Sequence, residues 1–322
     1  MRKKIIFLFV IVILLLTSFP FLYSFLPKDV EYKKALLKSS GHNEYTLENM
    51  KSIIGEQELT YVLKKYDKHP EKFMTDINEK NDQKGVENLT YRAGLHSHTT
   101  FSDGSLTPEE TLNQAAEYAD KVKAKHPFER YPMIIAITDH FNTQGCIEAI
   151  DVIQKNPEKY KNLKFVIGME TEAYVQMPSQ KEEKQIHILA WCINPYEWPF
   201  KDLEFHEPWN NWGQEYKNLV FLSDYKEFIK RIYSLKYGLT SIAHPLRYFE
   251  KDDTIDNVIN ELFDEYKTLK TNKEIFTEGY YQPYRFDIDE ELYKRTAQAA
   301  NERGIYRTGS QDTHGMSVFS YK

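Results

Sequence analysis

Cysteine is almost missing from this chain. Its 322 residues hold two, Cys146 and Cys192, too few for a thiolate zinc site. They allow at most one disulfide. Two buried free thiols are the simpler reading, and a pair in an exported protein is the other. A surplus of basic residues is missing as well: 42 Lys and Arg stand against 48 Asp and Glu, a net charge of -6. That balance argues against a nucleic-acid groove as the main feature, so nucleic acid is not indicated as a partner. No internal repeat is visible, which sets solenoids and propellers aside.

What is present begins with Arg2, Lys3 and Lys4, followed by an unbroken apolar run from Ile5 to Leu16 that resumes after Thr17-Ser18 and continues to Leu26. Residues 1–26 are expected to be a membrane anchor or a cleaved signal peptide. No cysteine lies near the run, so a lipidated cysteine is not expected. The positive flank sends the rest of the chain outward. The body is then extracytoplasmic, membrane-anchored if the segment stays and secreted if it is cut. Residues 27–88 are polar and rich in Lys and Glu, and are expected to form a helical stalk or packing segment. Short amphipathic helices are expected at Thr46–Ile54 and Glu58–Tyr66, and a linker at Asn81–Gly85.

From residue 89 to 322 the pattern changes. Short apolar runs such as Met133–Thr138, Lys164–Gly168, Gln185–Trp191 and Leu239–Ala243 alternate with amphipathic stretches of 10–18 residues. This alternation predicts an α/β domain of parallel strands and crossover helices. About seven strands suit a closed or distorted barrel better than an open sheet.

The ends of those strands carry the chemistry. Gly94 to Ser105 holds His96 and His98, which share one strand face because residues two apart do. Asp103 follows in a Ser-Asp-Gly turn able to fold it back towards them. Thr107-Pro-Glu-Glu110 then opens a helix with a capping box. Later strands end at Asp139-His140, Glu170, His244-Pro245 and Asp312-Thr-His314, and another bears His187. In a barrel such groups converge on one mouth. A single strand-end histidine is usually structural. Nine nitrogen and oxygen ligands in one place need partners, and divalent metals satisfy them together.

These motifs resemble the PHP (polymerase and histidinol phosphatase) superfamily of metal-dependent phosphoesterases. The resemblance rests on His96-Ser-His98 with Ser102-Asp-Gly104, Thr138-Asp-His140, Gly168-Met-Glu170, His187-Ile-Leu, Ala243-His-Pro245 and Ser310-Gln-Asp-Thr-His314, in family order over about residues 92–315. One departure is Ser-Gln-Asp where the family often has Gly-Ser-Asp. The resemblance implies a distorted (βα)7 barrel of PHP type with two or three divalent ions. It implies one ion held by His96, His98, Glu170 and Asp312. Glu170 would bridge to a second, held also by His187 and His244, and Asp103, His140 and His314 would hold a third. Imidazole with carboxylate suits Mn, Zn or Fe. Asp139 is read as a partner that orients a neighbouring histidine.

The implied reaction is hydrolysis of a phosphomonoester or phosphodiester, in a small molecule or a polymer, by a metal-bridging water that loses its proton and attacks phosphorus in line. Arg247, three residues after His244, is either a phosphate clamp or a surface arginine. The aromatic stretch 193–216, with Tyr196, Trp198, Phe200, Phe205, Trp209 and Trp212, is either a lid over the substrate or an insertion packed on the barrel. His206 within it is a weaker candidate for a general acid. Two other functions use the same residues: hydrolysis of an amide, carbamate or carboxylic ester, and a non-catalytic metal-binding module.

Overall fold

The computed structural model describes residues 26–68, 93–179, 184–197, 205–206, 221–222, 224–245, 255–281, 290–310 and 312–314. Two helices lead, α1 (Leu26–Ser40) and α2 (Glu56–Asp67). Then come β1 (Ala93–Gly94), α3 (Pro108–Lys125), β2 (Met133–Ile137), α4 (Gln144–Lys155), β3 (Leu163–Val175) and β4 (Lys184–Trp191). The two-residue strands β5 (Phe205–His206) and β6 (Phe221–Leu222) follow, then α5 (Tyr225–Ser234), β7 (Leu239–Ala243), α6 (Ile255–Thr268), β8 (Phe276–Tyr281), α7 (Glu290–Glu302) and β9 (Tyr306–Ser310).

Seven strands form one curved sheet in the order β1-β2-β3-β4-β7-β8-β9, with β5 and β6 set off the far end of β3. The sheet closes where the chain leaves β1 and β9. Ser97 bridges Thr313, the His98 N–H donates to the Thr313 carbonyl at 3.0 Å, and the Ser105 N–H donates to the His314 carbonyl at 3.1 Å. The result is a nearly closed seven-stranded barrel. β2 and β7 are buried along their whole length, as barrel strands covered by helices outside and side chains inside must be. Trp191 fills the interior and donates from its indole N–H to the Leu95 carbonyl at 3.0 Å.

The expectation of uniformly parallel strands needs a correction. β4 runs antiparallel to both β3 and β7. β3 is longer than its apolar run suggests and continues to Val175. Residues 176–183 then leave too short a connection for a crossover, which needs a dozen residues or more. The reversal has a functional result. β4 brings its beginning, with His187 opposite Glu172 and Ala243, to the end where its neighbours finish.

The described residues preceding the barrel pack against it. Tyr32 and Leu36 of α1 are fully buried, and the Tyr32 hydroxyl donates to the Ile193 carbonyl at 2.8 Å. α2 buries Leu59, Val62, Leu63 and Tyr66, the i, i+3, i+4, i+7 stripe of an amphipathic helix. Each such side chain contributes about 1.5–3 kcal/mol through burial. Asp29 of α1 accepts hydrogen bonds from the Gln57 and Glu58 N–H groups and so caps α2. Burial pushes its carboxyl up to about 6, against the opposing bond from Glu58. Residues 46–54 form turns rather than the expected helix, ending in a bridge from Ile53 to Phe165 beside the first half of β3. The backbone groups of Ser52 and Ile54 are thereby paired with Phe165. No helix among the described residues is long and apolar enough to cross a membrane, and of the segment 1–26, where one is expected, residues 1–25 lie outside them. Both cysteines are free and buried.

Candidate metal centre

Three structural devices bring the strand-end residues together. His96 and His98 continue β1 on its inward face, and both are buried. α3 starts at the capping box expected for it: Thr107 accepts from the Glu110 N–H while the Glu110 carboxylate accepts from the Thr107 N–H. The turn between them is tied down from β2. Asp139, fully buried, accepts from the Thr99 N–H at 2.6 Å, the Thr99 hydroxyl at 2.7 Å and the Ser102 hydroxyl at 2.9 Å. Gly104 is required where the turn doubles back, because a Cβ there would lie 2.2 Å from the His98 carbonyl oxygen. Asp139 thus grips the loop that carries Asp103. It reaches His98 only through Ser102, whose hydroxyl lies 3.3 Å from His98 Nδ1.

Glu170, on β3, stands at the centre and is 1% exposed. Its Oε2 lies 3.1 Å from His96 Nε2, 3.2 Å from His98 Nε2 and 3.3 Å from His140 Nδ1. Its Oε1 lies 2.8 Å from His187 Nδ1 and 3.4 Å from His244 Nε2. Asp312 Oδ1 is 3.5 Å from the Nε2 atoms of both His96 and His98. Nearby, Asp103 Oδ2 is 2.8 Å from His314 Nε2 and 3.6 Å from His140 Nε2, while its Oδ1 is 3.3 Å from His98 Nδ1. His98 therefore faces two groups at once, one through each ring nitrogen. Phe141, His244 and Asp312 all take positive φ values, 42°, 25° and 43°, a conformation costly for such residues and concentrated at functional sites.

These distances have the form of a cation cage. Ligands about 2.0–2.1 Å from a tetrahedral or octahedral ion stand about 2.9–3.4 Å from one another. The Nε2 atoms of His96 and His98 are 3.0 Å apart, and the carboxylate contacts at 3.1–3.5 Å complete most edges of such a polyhedron. Glu170 Oε2 and His140 Nδ1 have these close neighbours but no aligned hydrogen bond, and a buried polar group left so costs up to about 1–3 kcal/mol. A divalent ion removes that cost. Among the described residues, three sets have ligating atoms within 4.8 Å of one another: His98, Asp103, His140 and His314; His96, Glu170 and His244; and His96, His98 and Asp312.

The family model for the PHP domain matches residues 94–281 of this chain. The chain belongs to the PHP domain family. No curated protein sequence matches it. A solved amidohydrolase from Chromobacterium violaceum, holding sulfate and no metal, is similar at 16% identity over 70% of this chain and 88% of that one, with a TM-score of 0.44. Likeness at that level carries no weight for the chemistry. The matched segment stops short of Asp312 and His314, and barrel closure through Thr313 brings both to the PHP centre.

Without metal, the electrostatics of the PHP centre are those of interlocked imidazoles and carboxylates. Burial disfavours charge on every member. It is outweighed at His96 by Glu170, Glu278 and Asp312, which hold that imidazole well above its usual range. At His98, burial is outweighed by Asp312 and Glu170, and the ring is pushed up to about 10. Glu170 is held well below the usual carboxylate range, again against burial, by His96, His187 and His140. Burial prevails at His244, which falls to about 4.

His187 falls outside the three ligand sets. Its Nδ1 faces Glu170, and its Nε2 lies near Gln185 at 3.3 Å and Glu172 at 3.6 Å. Arg247 lies outside the described residues, as does most of the aromatic stretch. Tyr196 packs against the core, and the main chain of Phe205–His206 forms β5. Two buried carboxylates escaped the sequence reading. Glu172, two residues after Glu170 and so on the same strand face, has Oε1 3.4 Å from His140 Nδ1 and accepts from the Gln185 amide at 2.6 Å. Glu278, within β8 and directly after the short run 275–277, contacts His96. Its signal was a lone acid closing a buried run, the pattern already used for Glu170.

Proposed function

We propose that this PHP domain is a metal-dependent phosphoesterase. The observation that supports it most is the two-sided placement of Glu170, with one oxygen among His96, His98 and His140 and the other between His187 and His244. A carboxylate so placed is suited to bridge two cations. His96, His98, Glu170 and Asp312 would hold one, Glu170, His187 and His244 the second, and Asp103, His140 and His314 a third. Divalent ions there supply Lewis acidity, charge neutralisation and acidification of water. The chain's own residues provide the rest. Their buried nitrogens and oxygens fix the positions at which charge is neutralised, and the packed core of the nearly closed barrel beneath them keeps bulk water from that side. Asp139, through Thr99 and Ser102, holds Asp103 at the rim. The substrate is a phosphorylated small molecule or polymer, with Arg247 as its clamp.

Residues 1–26 are read as a tether that places the domain outside the cytoplasm. Because Tyr32 is already in the core, such a tether would hold the barrel close to the bilayer. Resistance of the chain to alkaline extraction from membranes tests this, and release into the soluble fraction refutes it.

Hydrolysis by the full-length chain, reloaded with Mn or Zn, of a chromogenic phosphomonoester, phosphodiester, carboxylic ester and anilide in parallel tests the reaction class. Metal-dependent turnover of a phosphoester that His96→Ala abolishes is the expected result. Turnover confined to the ester or anilide moves the assignment to a non-phosphate hydrolase, and metal binding without turnover moves it to a binding module.

A further inference from the structure

Glu278 is a carboxylate that belongs to none of the three ligand sets, yet it touches two of their members. It lies on β8, beside β7, and is 2% exposed. Its Oε1 accepts from the Nδ1–H of His96 at 2.9 Å, and its Oε2 accepts from the main-chain N–H of His244 at 2.6 Å. The local backbone is built for this. Glu278 pairs with Thr308 of β9 and Tyr280 pairs with Gly309, so Gly279 is an extra residue, a bulge. Bulges re-aim neighbouring side chains at barrel rims. A Cβ at Gly279 would lie 2.6 Å from Arg307 Cγ, so the bulge has little room for a larger residue. On the other side, His244 adopts its positive φ where its N–H meets Glu278.

We propose that Glu278 is a positioning residue for the metal centre. It holds the Nδ1–H of His96, so that Nε2, which faces Glu170, His98 and Asp312, is the nitrogen a bound ion would take, and it clamps the strained main chain from which His244 projects. One carboxylate thereby sets two ligands from two different strands, β1 and β7. The inference rests on the metal-centre reading above, but not on the nature of the bond hydrolysed. The second nitrogen of a ligating histidine is ordinarily held by such an acceptor, and loss of the acceptor weakens metal binding about 10–100-fold.

The test is Glu278→Gln in the full-length chain. The glutamine keeps the size of the side chain and one oxygen. With that oxygen on the His244 N–H, its amide faces His96 Nδ1 as a donor. The His96 proton must then move to Nε2, the nitrogen aimed at the other ligands. Zinc affinity, measured by competition with a chromophoric chelator, is expected to fall about 10–100-fold. The visible spectrum of the cobalt-loaded protein changes with it, while the metal-free melting temperature stays close to wild type. A merely structural role would leave both metal readouts untouched, and unchanged affinity and spectrum overturn the proposal. Failure of the wild-type chain to bind zinc overturns the metal-centre reading and this inference together. Normal wild-type binding with normal Glu278→Gln binding overturns this inference alone. Should the variant fail to fold, 15N-labelled histidine NMR of the zinc-loaded wild type decides: a proton on His96 Nδ1 supports the assignment, and a proton on Nε2 overturns it.

Discussion

Asp139 offers the sharpest test of how the rim of the centre is held. It is fully buried and spends both oxygens on Thr99 and Ser102. Asp139→Ala leaves the buried Thr99 N–H without a partner, at about 1–3 kcal/mol, and removes two hydroxyl bonds to a charged group worth about 1.5–3 kcal/mol each. The hydroxyls recover part of that by turning to other acceptors, for a net loss of about 3–5 kcal/mol. At about 2–3 °C per kcal/mol for a chain of this size, Tm falls by about 6–15 °C. Asp139→Asn keeps one oxygen for the Thr99 N–H and lets the Thr99 hydroxyl accept from the new amide, so it costs about 1–2 kcal/mol. Thermal melting followed by circular dichroism measures both, and metal content per chain measures the effect on the site. An ion held by Asp103, His140 and His314 would be lost first, because Asp103 rides on the loosened loop. An alanine variant that melts within 2 °C of wild type and keeps its full metal content refutes the argument that Asp139 holds this loop.

Three further outcomes are expected. Gly104→Ala places a Cβ 2.2 Å from the His98 carbonyl oxygen, a clash with backbone that no rotamer relieves; it should cost more than about 3 kcal/mol, and a denaturation midpoint equal to wild type contradicts it. Tyr32→Phe removes the donor to the Ile193 carbonyl and should cost about 1–3 kcal/mol, with Tyr32→Ala costing about 3–5; urea titration of both checks that α1 belongs to the same cooperative unit as the barrel. Metal uptake should release protons at pH 7, because His98 in the stripped chain titrates at about 10 and a bound ion displaces that proton. Affinity then rises with pH and levels off near 10, where the stripped ring gives up its proton, and calorimetry in two buffers of different ionisation enthalpy detects the release. The sign for the metal-free fold is opposite. A raised histidine pKa gives a contribution fully present below about 6.5 and lost as pH climbs through the folded value.

The histidines and acids at the strand ends were legible because their spacing is local: His96 and His98 share a strand face, and Asp103 follows in a turn. The helix starting at Pro108 was legible from its capping box. The direction of β4 was not, because alternation marks a strand without giving its polarity, and the apolar run ending at Gly168 concealed seven more residues of β3. The docking of α1 and α2 was invisible for a related reason. An amphipathic stripe such as Leu59, Val62, Leu63 and Tyr66 says that a face is buried, but the surface it meets, β9 and the loop after β4, is set by tertiary contacts. Asp139 reaches His98 only by way of Ser102 and also holds the loop through Thr99, a path set by a turn whose course the sequence leaves open. Glu172 and Glu278 were missed because one acid near the end of a strand is common and only the packed barrel brings those two against His140 and His96.

The central claim is that these strand ends form a metal centre bridged by Glu170. Anomalous X-ray diffraction from crystals of the Mn- or Zn-loaded chain tests it most directly. The account predicts one peak enclosed by His96, His98, Glu170 and Asp312 and a second on the other side of Glu170 beside His244. A loaded crystal with no peak in contact with Glu170 contradicts it.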